Sequence, residues 1–151
     1  MNERPEILYT AEATAIGGRA GHSRTSDGRL DVDLDVQSEL GGTGGPGTNP
    51  EQLLAAGWAA CFQSSMMRYA AMRKVDLSDA RVIARIGIGT LKTGGLGLTA
   101  SLDLEAPELS REDAVYLMER AHETCPYSRA TRGNIDVTLL VGGSSIERRA
   151  A

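Results

Sequence analysis

Two cysteines, Cys61 and Cys125, are the side chains best suited to covalent chemistry in this chain of 151 residues. The N-terminus, MNERPEILYT, has no apolar signal-peptide core, so the expected home is the cytoplasm. In that reducing compartment a structural disulfide is disfavoured, and a cysteine pair is catalytic, redox-active or merely buried. The plain reading is two buried thiols acting as small hydrophobes. The sharper one is a thiolate that reacts with an oxidant, becomes a sulfenic acid, and is captured by the other cysteine as a disulfide. That chemistry needs a lowered thiol pKa, hence a cation in contact, and the candidates are Arg19, Arg68, Arg129 and Arg132. His122 precedes Cys125 by three residues, so a Cys-His pair for acyl transfer is conceivable. Its neighbours Glu119, Arg120 and Glu123 place it on the solvated side of its helix instead. A zinc site from Cys61, Cys125, His22 and His122 lacks any CxxC or HxxxH spacing.

The elements that must position these residues are legible. Residues 7–15 suit a strand, followed by a loop, IGGRAGHSRTSDGR, with an Asp27-Gly28 turn signal. Leu30, Val32, Leu34 and Val36 then alternate with Asp31, Asp33 and Asp35, the pattern of a half-buried strand. These two runs are expected to pair. After the glycine-rich loop 41–48, Asn49 as N-cap, Pro50 at the first helical position and Glu51 in the first turn open a helix to about Arg73. Its apolar stripe reads Leu53, Leu54, Gly57, Trp58, Cys61, with Ser65 continuing it, so Cys61 lies mid-helix on the core side.

Strands over 81–91 and 96–105 join across KTGG as a hairpin. Ser110 and Asp113 resemble a capping box for a second helix. Ala114, Leu117, Met118, Ala121 and Cys125 share one face of it, and Pro126 puts Cys125 at or near its end. A last strand spans Ile135 to Val141, and the tail from Gly142 to Ala151 is expected to fray. The order ββ, helix, ββ, helix, β with half-wet hairpins indicates α+β rather than a doubly wound sheet. Both cysteines face inward on the two main helices; if those helices pack together, the thiols meet.

Composition excludes several classes. A net charge of -4 argues against a nucleic-acid binder, which needs a basic face. No apolar run approaches the roughly 18 residues of a membrane span. At 151 residues the chain has room for one domain around one core, expected over residues 1–151. Gly42 to Gly47 matches GxGxxG literally. Yet the preceding strand is amphipathic, no acidic residue closes a second strand about 20 residues on, and no phosphate-loop lysine follows. A flexible lead-in to a proline-started helix is the better reading.

Two segments, GGPGTNPEQLLAAGWAACF (44–62) and AHETCPYSRATRGNIDVTL (121–139), strongly resemble the Ohr branch of the Ohr/OsmC family, the organic hydroperoxide resistance proteins. The likeness covers roughly residues 7–141, and the ATRGN stretch is similar to Ohr rather than to its OsmC cousins. The resemblance implies an intertwined α+β homodimer, with antiparallel sheets around two main helices and two sites near the subunit interface. It implies a thiol-dependent peroxidase without metal, flavin or heme. Cys61 would be the peroxidatic cysteine, Cys125 the resolving one, Arg19 the catalytic arginine and Glu51 its partner. Organic hydroperoxides, including those of fatty acids, would be substrates, and a dihydrolipoyl group on a lipoylated protein the reductant.

These roles suit the residue types. Arg19 would favour the thiolate and bind peroxide oxygens through its planar fork, with Glu51 holding that fork. Leu53, Leu54, Trp58, Phe62 or Met66 would give an aliphatic pocket for an alkyl tail. Glu51 and Cys61 are ten residues apart, or about 15 Å along one helix. Either that helix breaks, or Glu51 and Arg19 reach a given Cys61 from the partner subunit, which is the expectation. Gln63, Ser64 and Ser65 depart from the aliphatic and small residues expected there, and Ser65, one turn from Cys61, would place a hydroxyl near the thiol and alter the pocket's shape. The competing readings are a redox-sensing or lipid-like-ligand-binding dimer without turnover, and a purely structural dimer.

Overall fold

Charge pairing, more than hydropathy, organises the first part of the chain. The structure is a computed structural model that describes residues 4–146. It divides into two compact units, Met1–Pro50 and Glu51–Ala151. The first unit carries three short strands, β1 (Ala13–Ile16), β2 (His22–Thr25) and β3 (Asp31–Asp33). All are antiparallel, in the order β1-β2-β3.

The runs expected to pair directly are therefore separated by a strand drawn from the loop. Its sequence, His-Ser-Arg-Thr, has no apolar residue to signal a strand. What holds it is charge: His22 lies opposite Asp33, and Arg24 opposite Asp31. His22 bonds Asp31 at 2.7 Å through Nε2 and Asp33 at 2.8 Å through Nδ1. Arg24 Nε lies 3.3 Å from Asp31. Without these cross-strand cations, the aspartates of β3 would stand as like charges on one wet face. The Asp27-Gly28 turn forms as expected, with Gly28 at φ 71° and its N–H donating to the Thr25 carbonyl at 2.9 Å. Strand β1 is shorter than its sequence run: Ile7, Leu8 and Tyr9 lie outside it and are exposed.

The glycine-rich loop wraps Asp35. The Gly47 N–H donates to Asp35 Oδ2 at 2.6 Å, and a Cβ at Gly45 would stand 2.5 Å from the same oxygen. Close backbone approach to a carboxylate, rather than to a phosphate, accounts for these glycines.

The second unit begins on α1 (Pro50–Arg73), which starts and stops where the sequence indicates. Strands β4 (Arg81–Thr90) and β5 (Leu96–Glu105) pair along their whole length, from Arg81↔Glu105 to Thr90↔Leu96. Helix α2 (Arg111–Thr124) follows, capped by the Ser110 hydroxyl accepting from the Asp113 N–H. Next come α3 (Pro126–Thr131), β6 (Val137–Val141) and β7 (Ser144–Ser145). The α+β class holds, but the second sheet is mixed: β6 runs parallel to β5. The crossover through α2 and α3 permits this.

The tail does not fray at Gly142. The Gly143 N–H donates to buried Asp103 on β5 at 3.1 Å, the Gly142 N–H to the Leu104 carbonyl, and Ile146 joins the core. Residues 147–151 of that expectation lie outside the described residues.

The core of this unit stacks α1 and α2 on the sheet. From α1 it takes Trp58, Phe62, Met66 and Ala70, an i+4 row that continues the Leu54 and Trp58 side of the expected stripe, with Leu54 and Cys61 packed against it. From α2 it takes the five positions expected, Ala114, Leu117, Met118, Ala121 and the terminal Cys125. Arg73 ties the helices together, bonding Asp113 at 2.7 Å and lying 3.8 Å over the Tyr116 ring. No helix among the described residues is long and apolar enough to cross a membrane.

Two outcomes follow from this packing. Phe62→Ala, which empties a fully buried site, should cost roughly 3–5 kcal/mol in urea unfolding. The Asp33 hydrogen bond, then the Asp31 charge, raises the His22 pKa despite partial desolvation. A raised folded-state pKa stabilises below the unfolded value near 6.5 and loses that stabilisation as pH rises through the folded value. Thermal melts at pH 5.5 and 8.5 should therefore show a fall with pH that His22→Gln reduces; an identical pH dependence in the variant would refute this role.

Candidate active site

Cys61 lies in the middle of α1, half-buried against the core, and Cys125 is fully buried at the end of α2. The helices do pack together, and the thiols meet: the Cys125 S–H donates to Cys61 Sγ at 3.6 Å. Both cysteines are free. An approach of about 1.5 Å would bring the sulfurs to the ~2.05 Å of a disulfide.

The position of Cys125 is set by its neighbour. Pro126 both stops α2 and starts α3 at its first turn, two roles of the same missing N–H and fixed φ. Taken only as a stop, Pro126 gives no sign of α3. Cys125 sits between the helices in an extended conformation, φ -60° and ψ 126°. Its N–H closes α2 on the Ala121 carbonyl at 2.8 Å, and its carbonyl accepts from the Arg129 N–H at 2.9 Å.

Two further residues of this segment, Ser128 and Tyr127, pack against Trp58 on α1. Ser128, fully buried, accepts from Trp58 Nε1 at 3.2 Å. The Tyr127 ring stands edge-on to Trp58, centroids 6.4 Å apart at 78°. It also lies over Gly57, where a Cβ would come within 3.0 Å of its hydroxyl. Apolar periodicity does not single out Trp58; its indole N–H, which wants a partner when buried, is the signal that points to a polar neighbour such as Ser128.

Burial pushes the Cys61 thiol above its ordinary pKa, the contact with Cys125 adds to this, and the Tyr127 backbone N–H aimed at the sulfur pulls it partly back. Arg68, Arg129 and Arg132 are not among the groups acting on it. Arg132 instead donates to the His122 carbonyl at 2.8 Å, capping the C-terminal carbonyls of α2. His122 itself is buried rather than solvated, because the segment 132–137 folds back over that helix end and lines a small pocket with it.

Helix α1 is unbroken from Pro50 to Arg73. Glu51 is buried in its first turn, about 15 Å along the axis from Cys61. Arg19 belongs to the first unit, in a single 3-10 turn, Gly18–Ala20. The flanking glycines are obligatory: Gly17 has φ 78°, and a Cβ at Gly21 would fall 1.8 Å from the Ile16 carbonyl oxygen. Among the described residues no group of three or more His, Cys, Asp or Glu gathers as a metal site.

The pocket expectation needs correction. Trp58, Phe62 and Met66 are wholly inside the core and cannot line an open cleft; Leu53 and Leu54 stay partly exposed. The polar run after Cys61 does not bring a hydroxyl to the thiol. The Ser65 hydroxyl donates to the Cys61 carbonyl, Ser64 to the Ala60 carbonyl, and Gln63 to the Ala80 carbonyl.

An α+β fold that holds two reduced cysteines in contact defines a class of dithiol protein, and comparison with known proteins narrows it. Residues 41–140 match the model of the OsmC-like protein family. An organic hydroperoxide resistance protein of Xanthomonas axonopodis pv. citri is 49% identical over 93% of this chain and 99% of its own. OhrB of Bacillus subtilis is 43% identical over 87% and 96%. The crystal structure of OhrB superposes with a TM-score of 0.81 over 89% of this chain and 99% of that one, at 40% identity. That of an organic hydroperoxide resistance protein from Elizabethkingia anophelis gives 0.84 over 91% and 98%, at 42% identity. The chain belongs to the OsmC-like family and, within it, to the organic hydroperoxide resistance branch.

The burial of the two thiols orders their reactivity. Under limiting iodoacetamide, native protein should be alkylated at Cys61 first, with Cys125 protected until denaturant is added. Peptide mapping showing Cys125 labelled first would contradict this geometry.

Proposed function

We propose that this protein is a thiol-dependent peroxidase that reduces alkyl and fatty-acid hydroperoxides to alcohols. Membership of the organic hydroperoxide resistance branch supports the broader role, organic hydroperoxide detoxification. The observation that carries the finer reading is the 3.6 Å contact between two free thiols.

In this reading the Cys61 thiolate attacks the distal oxygen of the hydroperoxide. The O–O bond breaks, the alkoxide takes a proton and leaves as the alcohol, and Cys61 becomes a sulfenic acid. Cys125 sulfur then attacks the Cys61 sulfur, expelling water and forming the disulfide. A dihydrolipoyl dithiol on a lipoylated protein takes up the oxidation as its own disulfide and restores both thiols. Mid-helix Cys61 is the attacking residue and Cys125, at a helix end, the resolving one. The reaction requires no metal or organic cofactor and is assigned to the cytoplasm.

Arg19 and Glu51 complete the proposed site. Attack on the O–O bond needs a thiolate, which burial of Cys61 disfavours, so the proposed reaction draws on a cation; the arginines of the second unit are not among the groups acting on this sulfur. The unbroken α1 keeps Glu51 of the same chain far along the helix from Cys61. This supports a homodimer in which Arg19 and Glu51 of the partner subunit serve each Cys61. Exposed Ile7, Leu8, Tyr9, Met67 and Met72 are apolar surface of the kind an assembly covers. Residues 1–151 then act as one Ohr/OsmC-like domain.

Steady-state reduction of an alkyl hydroperoxide with dihydrolipoamide or dithiothreitol tests the reading. Cys61→Ser should abolish turnover, and Cys125→Ser should still consume about one equivalent of peroxide. No turnover by the wild type across several dithiols would leave a sensing or ligand-binding dimer instead. Arg19→Ala should slow the oxidation of Cys61 at neutral pH by roughly 10- to 1,000-fold, the thiolate lost when a charge shifting a pKa by one to three units is removed. Its rate should recover as pH rises; a pH profile unchanged from wild type would remove Arg19 from this role.

A further inference from the structure

We propose that the Trp58–Ser128 hydrogen bond is a clamp that presets the distance between Cys61 and Cys125, making Trp58 and Ser128 positioning residues for disulfide formation. The two bridges are parallel. Trp58 precedes Cys61 by three residues on α1, and Ser128 follows Cys125 by three. The thiols are 3.6 Å apart and Trp58 Nε1 is 3.2 Å from Ser128 Oγ. On α1 residues three apart share a face, and Cys125 and Ser128 are joined by the first turn of α3, so one bridge sets the other's span.

The clamp is built to last. Trp58 and Ser128 are fully buried, so water offers neither group a substitute partner and breaking the bond leaves a buried donor unmet. Tyr127 reinforces it: its ring meets Trp58 edge-on and lies in the gap left by Gly57. Helix α3 has only six residues, too few to be stable alone. Trp58 on α1 meets both Tyr127 and Ser128 of α3, and these contacts help to fix the position of α3 against α1. In the dithiol state nothing covalent joins α3 to α1, so releasing the clamp frees the segment bearing Cys125 and raises the entropy cost of closing the disulfide. In the disulfide state the covalent bond does that work.

The clamp rests on the peroxidase reading only for its biological use, and its test does not. In a glutathione redox buffer, one oxidised glutathione and the two protein thiols exchange to give the protein disulfide and two reduced glutathiones. The equilibrium constant measures how well Cys125 is held opposite Cys61. Ser128→Ala or Trp58→Phe should each lower it roughly tenfold, the order set by one buried hydrogen bond. The double variant W58F/S128A should be no lower than the worse single, because the two side chains act through one bond. The double variant also lacks the orphaned donor and so covers a failure of Ser128→Ala to fold.

With a hydroperoxide as oxidant, stopped-flow oxidation of Cys61 should keep its wild-type rate in Ser128→Ala, while dimedone-trapped sulfenic acid rises against disulfide. Equilibrium constants equal to wild type, with melting points lowered alike in dithiol and disulfide forms, would overturn the clamp and leave a merely structural bond. A wild type that forms the disulfide in glutathione but turns over no hydroperoxide would overturn the peroxidase reading alone.

Discussion

The second unit depends on what happens at one peptide bond, between Cys125 and Pro126. Proline cannot donate to the helix that precedes it, and its ring drives the residue before it out of the helical region. Cys125 is accordingly extended at ψ 126°, and the chain leaves α2 in a new direction. Yet none of the backbone bonding around Cys125 is lost, because its N–H completes α2 and its carbonyl begins α3. A residue at such a corner is rigid in its backbone while its side chain stands outside both helical ladders. That is how a thiol at the end of one helix comes to face a thiol in the middle of another. Arg132, reaching back to the His122 carbonyl, supports the same corner from the far side by meeting carbonyls that the end of α2 leaves open.

The contact sets two electrostatic demands against each other. Burying thiols so that they touch favours their neutral forms, and Cys61 is pushed up for that reason first. The low dielectric responsible for this also strengthens the pull of any charge or dipole brought close. The Tyr127 N–H is one such dipole, and it comes from the same short helix that Pro126 starts. A partial dipole offsets only part of a desolvation penalty. The geometry of the pair and the activation of the pair are thus separable properties, the first set within residues 51–146 and the second, in the proposed reaction, assigned to Arg19.

Where hydropathy carries the signal, sequence and structure agree closely. The bounds of α1, the β4–β5 hairpin and the α2 face ending at Cys125 all follow from periodicity, capping and turn chemistry. What escaped was governed by other forces. Strand β2 is polar and is held by His22 and Arg24 opposite two aspartates, so only a search for charge complementarity to β3 would find it. Helix α3 was hidden because proline was read as a stop and not also as a start. The hairpin at residues 142–146 depends on Asp103, forty residues away, a contact no local pattern reveals. On α1 the apolar residues occupy two adjacent rows, and the sequence could not say which row faces the sheet. That ambiguity moved Trp58, Phe62 and Met66 from an imagined pocket into the core. The thiol pairing was legible because both cysteines lay on inward faces; the bond between Trp58 and Ser128 was not, since serine carries no sign of burial.

Closing a disulfide across 3.6 Å requires one partner to move, and the fold determines which. Cys61 is embedded in a helix of 24 residues, whose Gln63 side chain is tied to the start of β4 and whose far end is locked to α2 by Arg73. Shifting it would strain bonds on both sides at once. Cys125 belongs to a corner followed by a six-residue helix that ends shortly before Gly133 at φ 80°, a stretch with little cooperative stability of its own. Motion of about 1.5 Å therefore falls on the α3 side. A cysteine that must first react and then be reached is best placed within a long helix, and one that must do the reaching at the corner before a short one. The asymmetry between the two cysteines, set by helix length and one proline, agrees with the proposed roles, Cys61 attacking and Cys125 resolving.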